Sequence, residues 1–130
     1  MSEKNRAGEI AWVDLTVPEA EKVRDFYQGV VGWEFQPVSM GDYEDYGMAP
    51  AGTTTGVAGI CHARGVNANL PPQWLIYIRV DDLDRSMDAC TARGGRVLVG
   101  PKSMGGATRY CVIEDPAGAV AALYAEGEEK

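Results

Sequence analysis

Apolar and polar residues in the N-terminal half of the chain follow first a strand pattern and then a helix pattern. The run Glu9–Val17 is apolar and rich in β-forming residues, with Asp14 as its only interior charge, and it predicts a buried strand. Pro18 suits the first position of a helix, with Glu19 and Glu21 in a first turn where the helix dipole favours acids. The spacing of the next apolar residues predicts an amphipathic helix from Pro18 to about residue 30. These residues are Ala20, Val23, Phe26, Tyr27, Val30 and Val31.

Three short strand patterns follow this helix, which Gly32 ends. They cover about residues 33–40, 42–48 and 56–62, and the turn residues Gly41 and Pro50–Gly52 separate them. A stretch from about residue 63 to residue 73 has no periodicity and is rich in Gly, Asn and Pro, which is typical of a linker.

The second half repeats the order of the first. Residues 74–80 predict a strand, and Asp81 or Asp82 caps a helix that carries Leu83, Met87 and Cys90 on one face. Gly94-Gly95 closes the helix, and strands are predicted at 96–99, 108–114 and 119–125.

The two halves can be superposed. Val17 corresponds to Val80, 63 positions later, and Pro50–Gly52 corresponds to Pro116–Gly118, 66 positions later, so the second copy has gained about three residues in its loops. The pattern therefore predicts an α+β fold of two tandem βαβββ modules, at about 9–62 and 74–125, within a single domain over 1–130.

Composition limits the partners of such a fold. The chain has 130 residues and a formal net charge of −7, and its basic residues are scattered, which argues against a nucleic-acid partner. No apolar run is long enough to span a membrane, and the first six residues lack the apolar core of a signal peptide, so a cytoplasmic location without a membrane partner is expected. Glu126, Glu128 and Glu129 predict a solvated acidic tail.

The three cysteines do not predict a disulfide framework or a zinc site. Cys61, Cys90 and Cys111 are an odd number without CxxC spacing, and each lies in an apolar stretch. We expect reduced thiols that pack as small apolar side chains.

Several short motifs occur in the order and spacing of a known family. They are Ala11-Trp12-Val13-Asp14-Leu15, Asp25-Phe26-Tyr27 followed by Val31-Gly32-Trp33, Val80-Asp81-Asp82-Leu83-Asp84, Gly94-Gly95 and Asp115-Pro116-Ala117-Gly118. Over about residues 9–125 the chain resembles the glyoxalase/bleomycin-resistance/extradiol-dioxygenase superfamily, also called vicinal oxygen chelate proteins. The resemblance implies curved mixed sheets that enclose a cleft, and usually a homodimer. In metal-dependent members it also implies a divalent ion held by His, Glu or Gln on the first and last strands of each module.

The residues at the corresponding positions do not fit a metal site. The first-strand positions are Trp12 and Leu75, and the last-strand positions are Ala122 and, within a residue or two, Gly59. The side chains of Trp12, Leu75 and Ala122 cannot bind a metal. The single histidine, His62, cannot form a site of three or four donors by itself, so we expect no metal and no cofactor.

Strand alternation indicates what faces the cleft instead. The first-module row contains Trp12, Asp14 and Thr16, and the other rows contain Leu75, Tyr77, Arg79, Val120, Ala122 and Tyr124. The candidate ligand-binding residues are therefore Trp12, Asp14, Leu75, Tyr77, Arg79, Ala122 and Tyr124, a mostly apolar and aromatic set with two charges. The alternative is a filled core in which Asp14 pairs with Arg79 or Tyr77. The loops 50–56 and 103–107 predict hairpin connections, and they lack a phosphate-binding motif.

Three functions are compatible with this sequence. The first is a metal-independent protein that binds an apolar or aromatic small molecule, as drug-resistance members of the family do. The second is a metal-dependent lyase or dioxygenase with a displaced site, and the third is a dimeric interaction module without a ligand. Since the ligand positions carry apolar residues, the sequence favours binding over catalysis, and it identifies no catalytic residue.

Overall fold

The computed structural model describes residues 6–127, apart from the side chain of Val66. The residues before Arg6, and the predicted acidic tail at Glu128 and Glu129, lie outside the described residues. The elements are β1 (Ile10–Val17), α1 (Ala20–Val31), β2 (Glu34–Ser39), β3 (Glu44–Ala49), β4 (Ala58–His62), a short 3₁₀ turn (Gly65–Asn67), β5 (Trp74–Arg79), α2 (Leu83–Ala92), β6 (Arg96–Gly105), β7 (Thr108–Glu114) and β8 (Val120–Ala125).

Both halves have the same topology. The first-module strands lie in the order β2-β3-β4-β1, with β1 parallel to β4 and the other pairs antiparallel. The second-module strands lie in the order β5-β8-β7-β6, with β5 parallel to β8 and the other pairs antiparallel. The predicted α+β class and the two βαβββ modules with mixed sheets are confirmed.

The backbone divides into two compact units whose boundary is near the start of β5. One unit is Trp12–Trp74, and the other holds residues 75–127 together with residues 6–11. The N-terminal segment belongs to the second unit because Gly8 donates its N–H to the carbonyl of Arg79 over 2.7 Å. Arg79 in turn donates its N–H to the carbonyl of Glu9 over 2.9 Å.

Helix α1 begins later than the sequence pattern predicts. Strand β1 pairs with β4 as far as Val17, opposite His62, so Pro18 and Glu19 make the turn into the helix. The first helical hydrogen bond runs from the N–H of Val23 to the carbonyl of Glu19 over 3.1 Å. The placement of Pro18 and Glu19 in the first turn is therefore wrong, whereas Gly32 ends the helix as predicted, with a φ of 80°.

The buried face of α1 is narrower than its apolar stripe. Ala20 is fully buried, and Val23 and Tyr27 pack against the core of the first module. Phe26, Val30 and Val31, which were included in the stripe, are 57%, 62% and 53% exposed. The residues three and seven positions after Ala20 lie under the helix, and Arg24 beside them packs over the rings of Phe35 and Tyr46, so the covered strip does not reach the exposed end of the stripe.

Helix α2 matches its prediction more closely. Of the two candidate caps, Asp82 is the one used, because its carboxylate accepts the N–H of Arg85 over 3.0 Å. Leu83 and Met87 pack into the core of the second module, and Gly94 follows the helix with a φ of 98°.

Each module has its own apolar core between its helix and its sheet. The first contains Leu15, Val17, Ala20, Tyr46, Met48 and Ile60. The second contains Leu83, Cys111, Leu123 and Ala125.

The connection 50–56 lies between consecutive antiparallel strands, as predicted, whereas residues 103–105 of the predicted connection 103–107 belong to β6. Strand β6 is longer than expected and continues through bulges to Gly105, so the turn itself is Gly106-Ala107. Among the described helices, none has the length and apolarity that a bilayer crossing requires.

Candidate functional site

In the first module, Trp12 and Asp14 lie on the face of the sheet that α1 does not cover. Leu15 and Val17, which alternate with them along β1, pack into the core under the helix. The indole N–H of Trp12 donates to Oδ1 of Asp14 over 2.5 Å. This bond fixes the ring and satisfies a half-buried carboxylate, and it was not among the expected partners of Asp14.

Glycines form the surface beneath this pair. Gly59 lies opposite Asp14 in the parallel β1–β4 ladder and opposite Gly47 in the β3–β4 ladder. A Cβ atom at Gly59 would overlap the Asp14 carboxylate and would lie 3.4 Å from Nε1 of Trp12. A Cβ at Gly56 would lie 3.4 Å from the Trp12 ring. The indole and the carboxylate thus rest directly on backbone, which only glycine permits at Gly59.

In the second module, the residues predicted for this face also share it. Tyr77 lies opposite Ala122, and Arg79 lies opposite Tyr124, in the parallel β5–β8 ladder. The residues that alternate with them, such as Ile78 and Leu123, pack into the helix-side core. The structure adds Tyr110 and Val112, which lie opposite Tyr124 and Ala122 in the β7–β8 ladder.

The floor of this second face is apolar and its upper part is aromatic. Leu75, Val112 and Ala122 are 4%, 0% and 0% exposed, whereas Tyr77, Tyr110 and Tyr124 are half-buried. The rings of Tyr77 and Tyr110 lie 6.5 Å apart. Alternation along β7 predicts that Tyr110 and Val112 point to the same side of their strand. Only the β7–β8 register shows that this side is the face that carries Tyr124 and Ala122.

Arg79 is the one cation that the predicted site contributes, and acids surround it. Nη1 lies 3.1 Å from Oδ1 of Asp81, and Nη2 lies 3.6 Å from Oε1 of Glu126. The buried Nε atom has no hydrogen-bond partner among the described residues. Burial, followed by the charge of Glu126, raises the pKa of Tyr124, so its phenol stays protonated and can donate a hydrogen bond.

The register also fixes the fourth of the positions at which the resemblance implies a metal ligand. Asp14 pairs with Gly59 and Tyr77 pairs with Ala122, and both residues of the second pair lie 63 positions after those of the first. Gly59 is therefore the counterpart of Ala122, as Trp12 is of Leu75. Trp12, Leu75 and Ala122 carry an indole, an isobutyl and a methyl group, and Gly59 has no side chain. None of them offers a donor atom that suits a divalent ion, so these four residues do not fit such a metal. Within the described part of the chain, no three or more His, Cys, Asp or Glu side chains form a group able to hold a metal ion.

His62 lies at the end of β4 and is bonded to Asp45, a residue that the sequence pattern did not single out. Oδ1 of Asp45 accepts both the backbone N–H of His62, over 2.9 Å, and the ring Nδ1–H, over 3.2 Å. Asp45 is buried on β3, and the two residues meet only across the strand pair.

We predict slow alkylation of two of the three free cysteines in the folded chain. Burial raises the pKa of Cys61, and the charges of Asp14 and Asp45 raise it further. Burial raises the pKa of Cys111 to about 11, so its thiolate fraction at pH 8 is roughly a thousandth. Iodoacetamide at pH 8, followed by peptide mass spectrometry, should label Cys61 and Cys111 slowly in buffer and rapidly in urea. Rates in buffer equal to those in urea would contradict this assignment.

Comparison with known proteins identifies the family. The model of the glyoxalase/bleomycin resistance protein/dioxygenase superfamily matches residues 9–123. The chain belongs to this superfamily, as its motifs predicted.

Two kinds of relatives illustrate the range of the family. CFP32 of Mycobacterium tuberculosis (strain CDC 1551 / Oshkosh), whose name assigns it provisionally as a glyoxylase, is 33% identical over 121 residues, which cover 92% of this chain and 46% of that protein. The anthracycline biosynthesis protein DnrV of Streptomyces peucetius is 30% identical over 131 residues, which cover 92% of this chain and 48% of that protein. The chain thus spans about half the length of these relatives.

Solved structures show the same fold. Methylmalonyl-CoA epimerase from Mycobacterium tuberculosis superposes with a TM-score of 0.57 at 19% identity, covering 98% of this chain and 94% of that chain. A Streptomyces coelicolor methylmalonyl-CoA epimerase variant has a TM-score of 0.56 at 14% identity, covering 95% and 100%. At such identities the likeness concerns the fold alone.

Proposed function

We propose that this chain binds a small aromatic molecule on the sheet faces that its helices leave uncovered, and that it does so without a metal. The observation that carries the proposal is the set Trp12, Gly59, Leu75 and Ala122, which replaces metal donors with apolar groups where the family places its ligands. A protein that keeps the fold but lacks the donors retains the binding face and loses the Lewis acid.

The first module offers a flat stacking surface. The Trp12 indole is held by its bond to Asp14 and lies on the backbone of Gly56 and Gly59. A ring held in one orientation loses little entropy when a planar ligand stacks on it.

The second module offers a comparable face with a different polar group. Tyr77, Tyr110 and Tyr124 present ring surface above the buried side chains of Leu75, Val112 and Ala122. Arg79 supplies a cation with one unpartnered buried nitrogen, which favours a ligand with a carbonyl or acidic oxygen.

The names of two relatives agree with this ligand class. DnrV, and DauV of Streptomyces sp. (strain C5), are named for the biosynthesis of anthracyclines, which are polycyclic aromatic compounds. The family name itself includes proteins of bleomycin resistance.

Titration with ring compounds of increasing size tests the proposal. A variant with Trp33→Phe and Trp74→Phe leaves Trp12 as the single indole, because the chain has three tryptophans. Naphthalene-2-sulfonate and anthraquinone-2-sulfonate should quench its fluorescence, with tighter binding for the larger ring system. Cyclohexanesulfonate, which has the same head group and no aromatic ring, should bind much more weakly.

The matched variant is Trp12→Leu in the natural background. Calorimetry should show an affinity for anthraquinone-2-sulfonate that is roughly tenfold lower, because an oriented ring contact is lost. Equal affinities for the aromatic and aliphatic probes, or an unchanged affinity in Trp12→Leu, would refute the proposed function.

A further inference from the structure

The first module contains a cavity near the N-terminal end of α1 and the β2–β3 hairpin. Its volume is about 490 Å³, enough for a small organic molecule. It is lined by Glu21, Ser39, Gly41, Asp42, Tyr43, Glu44, Tyr46 and His62. None of the residues of the Trp12 face described above lines it.

The lining has a strong charge bias. Glu21, Asp42 and Glu44 contribute three carboxylates, and no described lining residue is a lysine or an arginine. The Tyr46 hydroxyl donates to Oε2 of Glu21 over 3.3 Å. Burial, followed by the charge of Glu21, raises the pKa of Tyr46, in agreement with a negative local potential.

Three of the other residues that line the cavity carry aromatic rings. The Tyr43 and His62 rings meet edge to face with centroids 5.5 Å apart, and the Tyr46 ring lies 5.9 Å from His62. Rings that stand at angles to one another, together with carboxylates, are the composition with which proteins recognise ammonium groups.

The chain's own cations already contact these rings. The Arg64 guanidinium carbon lies 3.9 Å from the centroid of Tyr43, and that of Arg24 lies 4.7 Å from the centroid of Tyr46. These contacts are independent of the carboxylates, and they show that the ring faces beside the cavity attract positive charge. Arg64 is exposed, so a ligand can compete with it for the Tyr43 ring.

His62 adds a directed acceptor. A carboxylate accepts hydrogen bonds and does not donate them, so the bond to Asp45 places the proton of the neutral ring on Nδ1. Nε2 is then unprotonated and can accept an N–H from a ligand. The described lining offers a carboxylate ligand no lysine or arginine, whereas an ammonium group would find carboxylates, the Tyr43 ring face and an acceptor.

We propose that this cavity is a binding site for a small primary ammonium ion. Glu21 and Glu44 supply the counter-charge, Tyr43 supplies a ring face, and Nε2 of His62 receives one ammonium hydrogen. The site is separate from the aromatic ligand face proposed above and does not depend on it.

The single histidine of the chain makes a direct test possible. In a ¹H–¹⁵N spectrum optimised for imidazole rings, titration with n-butylammonium at pH 7.5 should shift the one Nε2 resonance in a saturable manner. n-Butanol, which is neutral and of similar size, should leave that resonance in place. Both probes lack an aromatic ring, so the outcome is independent of binding at Trp12.

Two variants locate the effect, and each has a matched control. Glu21→Gln combined with Glu44→Gln should weaken n-butylammonium binding about fivefold or more, while Glu34→Gln, an exposed change on β2 of the same module, should leave it nearly unchanged. Arg64→Ala should tighten binding about two- to fivefold, because it removes the internal competitor for the Tyr43 ring. Arg85→Ala, which removes an exposed positive charge from α2, should not tighten it.

The opposite results would overturn the proposal. They are equal imidazole shifts with n-butylammonium and n-butanol, no saturable shift with either probe, or a Glu34→Gln variant that weakens binding as much as the Glu21→Gln, Glu44→Gln pair. Circular dichroism of each variant confirms that it is folded.

Discussion

Replacing Gly59 by alanine is expected to lower the free energy of unfolding by about 1–3 kcal/mol and to weaken aromatic ligand binding at the same time. The added Cβ would overlap the Asp14 carboxylate and would lie 3.4 Å from Nε1 of Trp12. The carboxylate must then move, which breaks its hydrogen bond with the indole and releases the ring from its fixed orientation. Urea unfolding and the anthraquinone-2-sulfonate titration measure the two effects.

Gly47→Ala is the matched control. Gly47 lies opposite Gly59 in the β3–β4 ladder, but the nearest atom to a Cβ there is the carbonyl oxygen of Gln36, at 3.9 Å. This change should be neutral or slightly stabilising, because alanine restricts the unfolded chain without a clash in the folded one.

A double-mutant cycle identifies the cause of the Gly59 effect. In an Asp14→Ala background the carboxylate is gone, so Gly59→Ala should cost much less stability than it does in the natural chain. Additive effects of the two substitutions, or a harmless Gly59→Ala, would show that the glycine is not needed beneath the Trp12–Asp14 pair.

Leu83→Ala is expected to be the most destabilising of the substitutions considered, at about 2–5 kcal/mol. Leu83 is the first residue of α2 and is 2% exposed, in contact with the buried core of the second module. Its truncation leaves a cavity in a core that also contains Cys111 and Leu123. That loss is a large part of the stability of a domain of ordinary size.

Leu98→Ala makes the same chemical change on β6, where the side chain is 38% exposed. It should cost about 1 kcal/mol or less, because much of the transfer free energy is absent at a partly solvated site. Urea unfolding followed by far-ultraviolet circular dichroism compares the two. Equal losses would mean that Leu83 is not part of a packed core.

The order of elements was predictable from the sequence because strand and helix periodicities are local. The α1 start was not, because Val17 pairs with His62 across the sheet and delays the helix until Ala20. The exposure of Phe26 and Val30 was missed for a related reason, since spacing reveals an apolar stripe but not how much of it the sheet covers.

For the candidate site, the sequence predicted only which residues share one face of a strand. Alternation placed Trp12 with Asp14, and Tyr77 with Arg79, on their respective faces. The indole–carboxylate bond, the overlap of Gly59 with Asp14 and the His62–Asp45 bond depend on which residues lie opposite one another in neighbouring strands. Register is a property of the whole sheet, and single-sequence patterns leave it open by a residue or two.

The homodimer comes only from the family resemblance. It stays a prediction, which sedimentation velocity checks.

Titration of anthraquinone-2-sulfonate before and after exhaustive dialysis against EDTA tests metal-independent aromatic binding most directly. Iron, manganese, nickel and zinc are determined in the same samples by inductively coupled plasma mass spectrometry. We predict substoichiometric metal in the purified protein and the same dissociation constant in both samples. Near-stoichiometric metal, with binding that EDTA abolishes and the returned ion restores, would contradict the account.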